Sequence, residues 1–234
     1  MEFKEKVKEK FKEFGFELSE EQSIDFEKFY NLLLEENSKY NLTAIVDEDD
    51  VILKHFIDSV LPIAKFNDGD KILDIGSGAG FPSIPLSIMN RNLNMVAIDA
   101  VNKKVNFINM VAKELKLTNL VAVHERAEDL VKKNSNREGF DIVTTRAVAN
   151  LSTICEYSLP FLKVGGIMIA YKGSYVSEEI KSAEKALKVL GGKIKEVSKF
   201  ELNDMERNVL LIEKIEKTPN KYPRSQNKPR TNPL

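Results

Sequence analysis

Near the start of the chain, Phe3, Val7, Phe11 and Phe14 recur at helical spacing among lysines and glutamates, which predicts a helix with one apolar stripe. "SEEQ" at Ser19 to Gln22 has the spacing of a capping box, so a second helix is expected to open there and run through Ile24, Phe29, Leu32 and Leu33. Acidic "DEDD" (47–50) then leads into "VILKHFIDSVLP", a further helix stopped near Pro62. Residues 1–65 therefore read as all-helical. From Lys71 the pattern changes. Short apolar runs predict strands at 71–76, 95–99, 120–125, 140–146 and 166–171, with helices near 82–90, 102–116, 127–133, 150–162 and 177–190. Two more strands, 193–202 and 208–215, are joined only by "LNDMER", a hairpin-length turn. Strands alternating with helices imply an α/β fold with a parallel sheet covered on both faces, here ending in an antiparallel pair.

Composition adds bounds. Of the 234 residues 42% are apolar, enough for a packed core, and the net charge of −1 gives no overall bias toward nucleic acid. The distribution does: residues 217–234 hold five cations (Lys217, Lys221, Arg224, Lys228, Arg230) and no acid. That tail also holds four of the eight prolines and is expected to be extended rather than helical; the alternative is a tail that packs on the sheet with Tyr222 as its anchor. The division expected is a helical extension (1–65), an α/β domain (66–216) and a basic, proline-rich tail (217–234). One cysteine, Cys155, excludes an intrachain disulfide and a cysteine metal cage, and a reducing compartment fits. The first residues alternate in charge and lack the apolar core of a signal peptide, and no apolar run approaches about 18 residues. A cytoplasmic protein without a membrane span or a metal is expected.

The chemistry concentrates in "ILDIGSGAGFPSIP" (72–85), where Gly76, Gly78 and Gly80 follow a predicted strand and its acid, Asp74. In a parallel α/β sheet ligands bind beyond the carboxyl ends of the strands, where free backbone N–H groups favour a polar ligand. The plain alternative is a tight strand-to-helix turn. The dinucleotide fingerprint would need a third glycine at position 81, which is Phe81. Asp99 ends the second strand, where a carboxylate can accept from both hydroxyls of a ribose. Ala127 and Glu128, in "RAED", would border an adenine slot, although Glu128 also fits as a first-turn helix acid. These elements resemble the binding face of class I S-adenosylmethionine-dependent methyltransferases, whose fold is a seven-stranded, mostly parallel Rossmann-like sheet with an antiparallel last strand.

The acceptor is narrowed by what is missing. Methylation of an exocyclic amine uses an Asn/Asp-Pro-Pro-aromatic loop after strand four, and this chain has "TTRAVAN". Methylation of a pyrimidine carbon needs a nucleophilic cysteine, and Cys155 in "STICEYS" reads as a small core residue. What remains are acceptors with an available lone pair, or oxygens with local base assistance; guanine N7 has a lone pair and no proton, so transfer to it needs in-line positioning and no base. Arg126, Arg146 and Lys172 fall at strand ends and Lys103 and Lys104 open a helix, suited to phosphates or a guanine edge, or else surface cations. His55 reads as a core histidine rather than a catalyst.

The resemblance narrows further. "KYNLTAI", "HFIDSVLP", "LDIGSGAGFPSIPL", "RAED", "TRAV" and "LPFLKVGG" occur in the order and spacing of the bacterial small-subunit rRNA guanine-N7 methyltransferases, also called glucose-inhibited division protein B. The similarity runs from about Tyr40 to Lys172, and "KYPR…P…NPL" echoes the family ending. It implies S-adenosylmethionine bound at Gly76, Phe81, Ala127, Glu128 and Arg146, with S-adenosylhomocysteine as product. The acceptor it implies is N7 of a guanine in the 530 loop of 16S rRNA, as naked RNA or in a small-subunit particle. Ser83 and Asn227 stand where the family usually has glycine. The expected assignment gives Asp74, Gly76, Gly78, Gly80 and Phe81 to the methionine side, Asp99 to the ribose, and Ala127 and Glu128 to adenine. Arg146 would position, as would His55, without a general base. Lys103, Arg126, Arg146, Lys172, Lys221, Arg224, Lys228 and Arg230 would meet RNA, and the protein would act as a monomer. The alternatives are a small-molecule methyltransferase with the helical N-terminus as lid, and a non-enzymatic RNA-binding assembly factor.

Overall fold

The computed structural model describes residues 2–133 and 136–234. Seven strands follow the order β3-β2-β1-β4-β5-β7-β6. They are β1 (Lys71–Ile75), β2 (Asn94–Asp99), β3 (Leu120–His124), β4 (Phe140–Arg146), β5 (Leu162–Lys172), β6 (Gly192–Leu202) and β7 (Met205–Lys214). Pairs β1–β4, β2–β3 and β4–β5 are parallel, whereas β7 runs antiparallel to both β5 and β6. The β6–β7 hairpin closes through a two-residue turn with Asn203 at φ +52°, a conformation asparagine tolerates better than most residues. By packing, the chain divides into two compact units, Met1–Gly69 with Ser77–His124, and Asp70–Gly76 with Glu125–Leu234.

The first unit holds α1 (Phe3–Glu13), α2 (Glu20–Tyr40), α3 (Glu48–Val51), α4 (Asp58–Val60), α5 (Ser83–Met89), α6 (Asn102–Glu114), β2 and β3. The expected capping box opens α2: Ser19 Oγ accepts from the Gln22 amide, and the Gln22 side chain accepts from the Ser19 amide. Gln22 also donates to the Met89 carbonyl at 3.1 Å, tying α2 to α5. Phe11, Phe26, Phe29 and Phe56 are fully buried. Their rings form a chain, Phe11–Phe26 at 4.9 Å, Phe26–Phe56 at 4.9 Å and Phe29–Phe56 at 5.3 Å, that continues from Phe29 to Phe81 at 5.3 Å. The N-terminal helices thus share a core with the residue that follows the glycine loop. Between α3 and α4, Ile52–Ile57 forms a π-helical turn rather than the α-helix expected there.

The second unit holds the other strands with α7 (Ala127–Leu130), α8 (Leu151–Ser158), α9 (Val176–Leu190) and α10 (Lys228–Thr231). The tail corrects the sequence reading. It ends in the short helix α10, and Tyr222, Pro223 and Pro229 are buried. The cause is a buried acid. Glu156 on α8 has no solvent exposure, and Arg224 answers it with its backbone amide (2.8 Å), Nε (2.9 Å) and Nη2 (2.7 Å). A buried carboxylate without such a partner would cost several kcal/mol, about the scale of a whole domain's net stability. Arg137 adds hydrogen bonds to the carbonyls of Thr218 (2.8 Å) and Tyr222 (2.9 Å). Asn227 takes φ +59°, a left-handed conformation that asparagine accepts, so its place at a common glycine position is accommodated.

Candidate active site

In the first unit the loop from Ser77 to Phe81 is fixed by its own amides. The Ser77 amide donates to the Ile98 carbonyl at 3.1 Å, and the Gly78 amide donates to Asp99 Oδ2 at 3.0 Å. Asp99 Oδ1 accepts from the Val101 amide at 2.8 Å. One carboxylate, 8% exposed, therefore joins the end of β2 both to the glycine loop and to the entry of α6. Gly80 has φ +88°, and a Cβ there would overlap the Ile84 side chain. The protein itself excludes a side chain at that position, so packing accounts for this glycine before any ligand is considered.

His55, on the π-helical turn, stacks on Phe81 with centroids 4.3 Å apart and planes 18° apart, and its Nε2 lies 2.9 Å from Thr43 Oγ1. Periodicity alone misses this arrangement. A π turn re-aims one side chain relative to an α-helix, and such turns recur at functional sites. Lys103 is exposed near the ring of Tyr40.

In the second unit Asp74 is fully buried and its Oδ1 accepts from Thr144 at 2.9 Å, so it braces β1 against β4. Gly76 has φ +74°, and a Cβ there would stand 2.8 Å from Val148 Cγ2. Arg146 ends β4, half-buried, and Ala147 after it has φ +55°. Ala127 and Glu128 are buried on α7, and Arg126 before them is exposed. The Arg126 guanidinium stands 3.9 Å from Glu128, a long ion pair.

Three cations expected on RNA are engaged within the protein. Lys172 donates to the Ala149 carbonyl at 2.9 Å and to Glu179 at 2.6 Å. Arg224 is bound to Glu156, and Arg230 donates to the Val148 carbonyl at 3.0 Å. In each case a buried carboxylate or an unpaired loop carbonyl competes for the cation. Lys221 and Lys228 are exposed. Cys155 is buried, and burial pushes its thiol up to about 12, which removes it as a nucleophile near neutral pH. Among the described residues no helix is long and apolar enough to cross a membrane.

A seven-stranded sheet with β7 antiparallel between β5 and β6, and a glycine loop after β1, is the class I methyltransferase fold. The crystal structure of M. jannaschii TYW2 in complex with AdoMet shares this fold at TM-score 0.53 and 15% identity, over 68% of this chain and 77% of that one. Within the class, the family model for rRNA small subunit methyltransferase G matches residues 22–210. Ribosomal RNA small subunit methyltransferase G of Desulforamulus reducens is 46% identical over 97% of both chains, and that of Lactococcus lactis subsp. lactis 47% identical over 95% of both. The chain belongs to the rRNA small subunit methyltransferase G family.

Proposed function

We propose that this protein transfers a methyl group from S-adenosylmethionine to N7 of a guanine in 16S rRNA. The family carries the reaction class, and the sequence resemblance points to the 530-loop guanine. The observation in the fold that best supports the cofactor is Asp99. Each of its oxygens accepts one backbone N–H and retains acceptor capacity, so it can take the hydroxyls of a ribose while still holding the glycine loop. Gly76, Gly78, Gly80 and Phe81 are assigned to the methionine side, and Ala127 and Glu128 to the adenine. Asp74, which accepts from Thr144 within the sheet, supports the strand end.

The bound cofactor would supply a methyl group on a positively charged sulfur. Guanine N7 offers a lone pair and carries no proton, so no side chain has to remove one. What the chain contributes is orientation, worth several kcal/mol when the reacting atoms are held in line. Arg146 is assigned that task at the end of β4, and His55 fixes Phe81 by stacking. Exposed Lys103, Arg126, Lys221 and Lys228 are assigned to phosphates, which a polyanionic substrate presents regardless of sequence.

Isothermal titration should detect S-adenosylhomocysteine and not NAD. Asp99→Ala should weaken binding by about 1–3 kcal/mol through lost charge-assisted hydrogen bonds. Comparing 16S rRNA from cells with and without this protein should locate one N7-methylguanosine that disappears. An unchanged methylation map would overturn the reaction, and full affinity in Asp99→Ala would remove that residue from the site.

A further inference from the structure

Residues 147–150 connect β4 to α8, and Ala147 holds φ +55° there without being glycine. Such a conformation costs about 1 kcal/mol or more and persists where surrounding contacts over-determine it. The contacts are visible. Arg230 donates to the Val148 carbonyl at 3.0 Å, Lys172 donates to the Ala149 carbonyl at 2.9 Å, and Asn150 caps α8 by accepting from the Thr153 amide at 2.9 Å. Thr153 Oγ1 in turn donates to the Pro229 carbonyl at 2.8 Å, anchoring the segment that carries Arg230. On its other side, Val148 fills the space that a Cβ on Gly76 would need, with Cγ2 at 2.8 Å from that position.

We infer that Arg230 is a positioning residue for the cofactor: through the Val148 carbonyl it holds the 147–150 loop against Gly76. This rests on the S-adenosylmethionine reading above. The role is distinct from phosphate binding, in that one guanidinium nitrogen donates to a backbone carbonyl of its own protein. It also differs from the role of Arg224, which neutralises a buried acid and supports the fold as a whole. The loop is under local strain and has few sequence-local ties, so loss of one donor should loosen it without unfolding the protein.

The test uses the full chain with Arg230→Met, Arg230→Lys, and Lys217→Met as a charge-matched tail control. Lys217 is exposed and stands 3.8 Å from Glu138, away from this loop's hydrogen bonds. Three readouts are taken: S-adenosylhomocysteine affinity by calorimetry, amide hydrogen exchange of residues 147–150 in the cofactor-free protein, and the thermal midpoint. Arg230→Met should raise Kd about 3–10-fold and speed exchange at 147–150, with a midpoint near that of the parent. Arg230→Lys, which keeps a donor, should recover part of both effects, and Lys217→Met should match the parent. Unchanged affinity and exchange in Arg230→Met would overturn the inference alone, as would a uniform rise in exchange with a lowered midpoint. A parent protein that fails to bind S-adenosylhomocysteine would overturn the functional reading and this inference with it.

Discussion

Glu156 and Lys214 are ionisable side chains with no solvent exposure in the second unit, and both bear on stability. Glu156 is fully buried and its partner Arg224 comes from 68 residues away. Arg224→Met leaves the carboxylate uncompensated and should lower the unfolding free energy by about 3–5 kcal/mol, measured in urea. Adding Glu156→Leu should restore most of that loss, because the penalty belongs to the orphaned charge. Lys214 is the other case. Its ammonium donates to the Leu159 carbonyl and to Thr218, and burial pushes its pKa down to about 8 from 10.5. Between those values the unfolded chain holds a proton that the folded protein has released, so this group's contribution to stability rises with pH across the window. Urea unfolding of the parent and Lys214→Met at about pH 7.5 and about pH 10 should show the parent gaining about 2 kcal/mol on the variant. The buried Cys155 thiol acts in the opposite direction but equally in both proteins, so it cancels. A pH-independent difference would mean that Lys214 stays charged in the fold.

At the scale of elements, the glycine loop and the π-helical turn meet at Phe81. The apolar spacing of "VILKHFIDSVLP" is satisfied by an α-helix, and nothing in it marks the extra residue of a π turn. The turn carries His55 onto the Phe81 ring, which makes the histidine a packing partner of the loop. The single-turnover methyl-transfer rate should accordingly stay nearly flat from about pH 6 to pH 9, a range that spans histidine titration. His55→Phe, which preserves the stack and removes the Thr43 contact, should retain that flat profile. A steep rise with pH that vanishes in His55→Phe would make His55 a base and would argue against an N7 acceptor.

For the molecule as a whole, the tail decides between two kinds of behaviour. Cations and prolines without acids suggested a segment lying along RNA, but the fold uses Tyr222, Pro223, Arg224 and Pro229 internally. Truncation after Glu216 should therefore lower the melting temperature by roughly 10 °C or more, given the several kcal/mol held at Glu156. The RNA contribution is better tested without truncation. Replacing Lys221 and Lys228 together by Met should flatten the slope of log affinity against log salt by about 1.5, two phosphate contacts' worth. A truncated protein with the parent's melting temperature would return the tail to an extended, RNA-directed role.

What local sequence determines is visible in the elements it encodes. The capping box at Ser19, the strand starting at Lys71, the hairpin at Asn203 and the glycine loop all depend on backbone preferences and on partners a few residues away, so periodicity and turn chemistry expose them. Asp99 was legible too, because its place at the end of a strand follows from that strand. The pairing of Arg224 with Glu156, the hold of Lys172 and Arg230 on the 147–150 loop and the stacking of His55 on Phe81 were not. A lone acid in the apolar helix "STICEYS" was the one available signal, and it does not say which cation answers it. The burial that makes a partner for Glu156 mandatory, and the proximity that pairs the others, appear only when distant segments pack, so the tertiary structure alone supplied these partners.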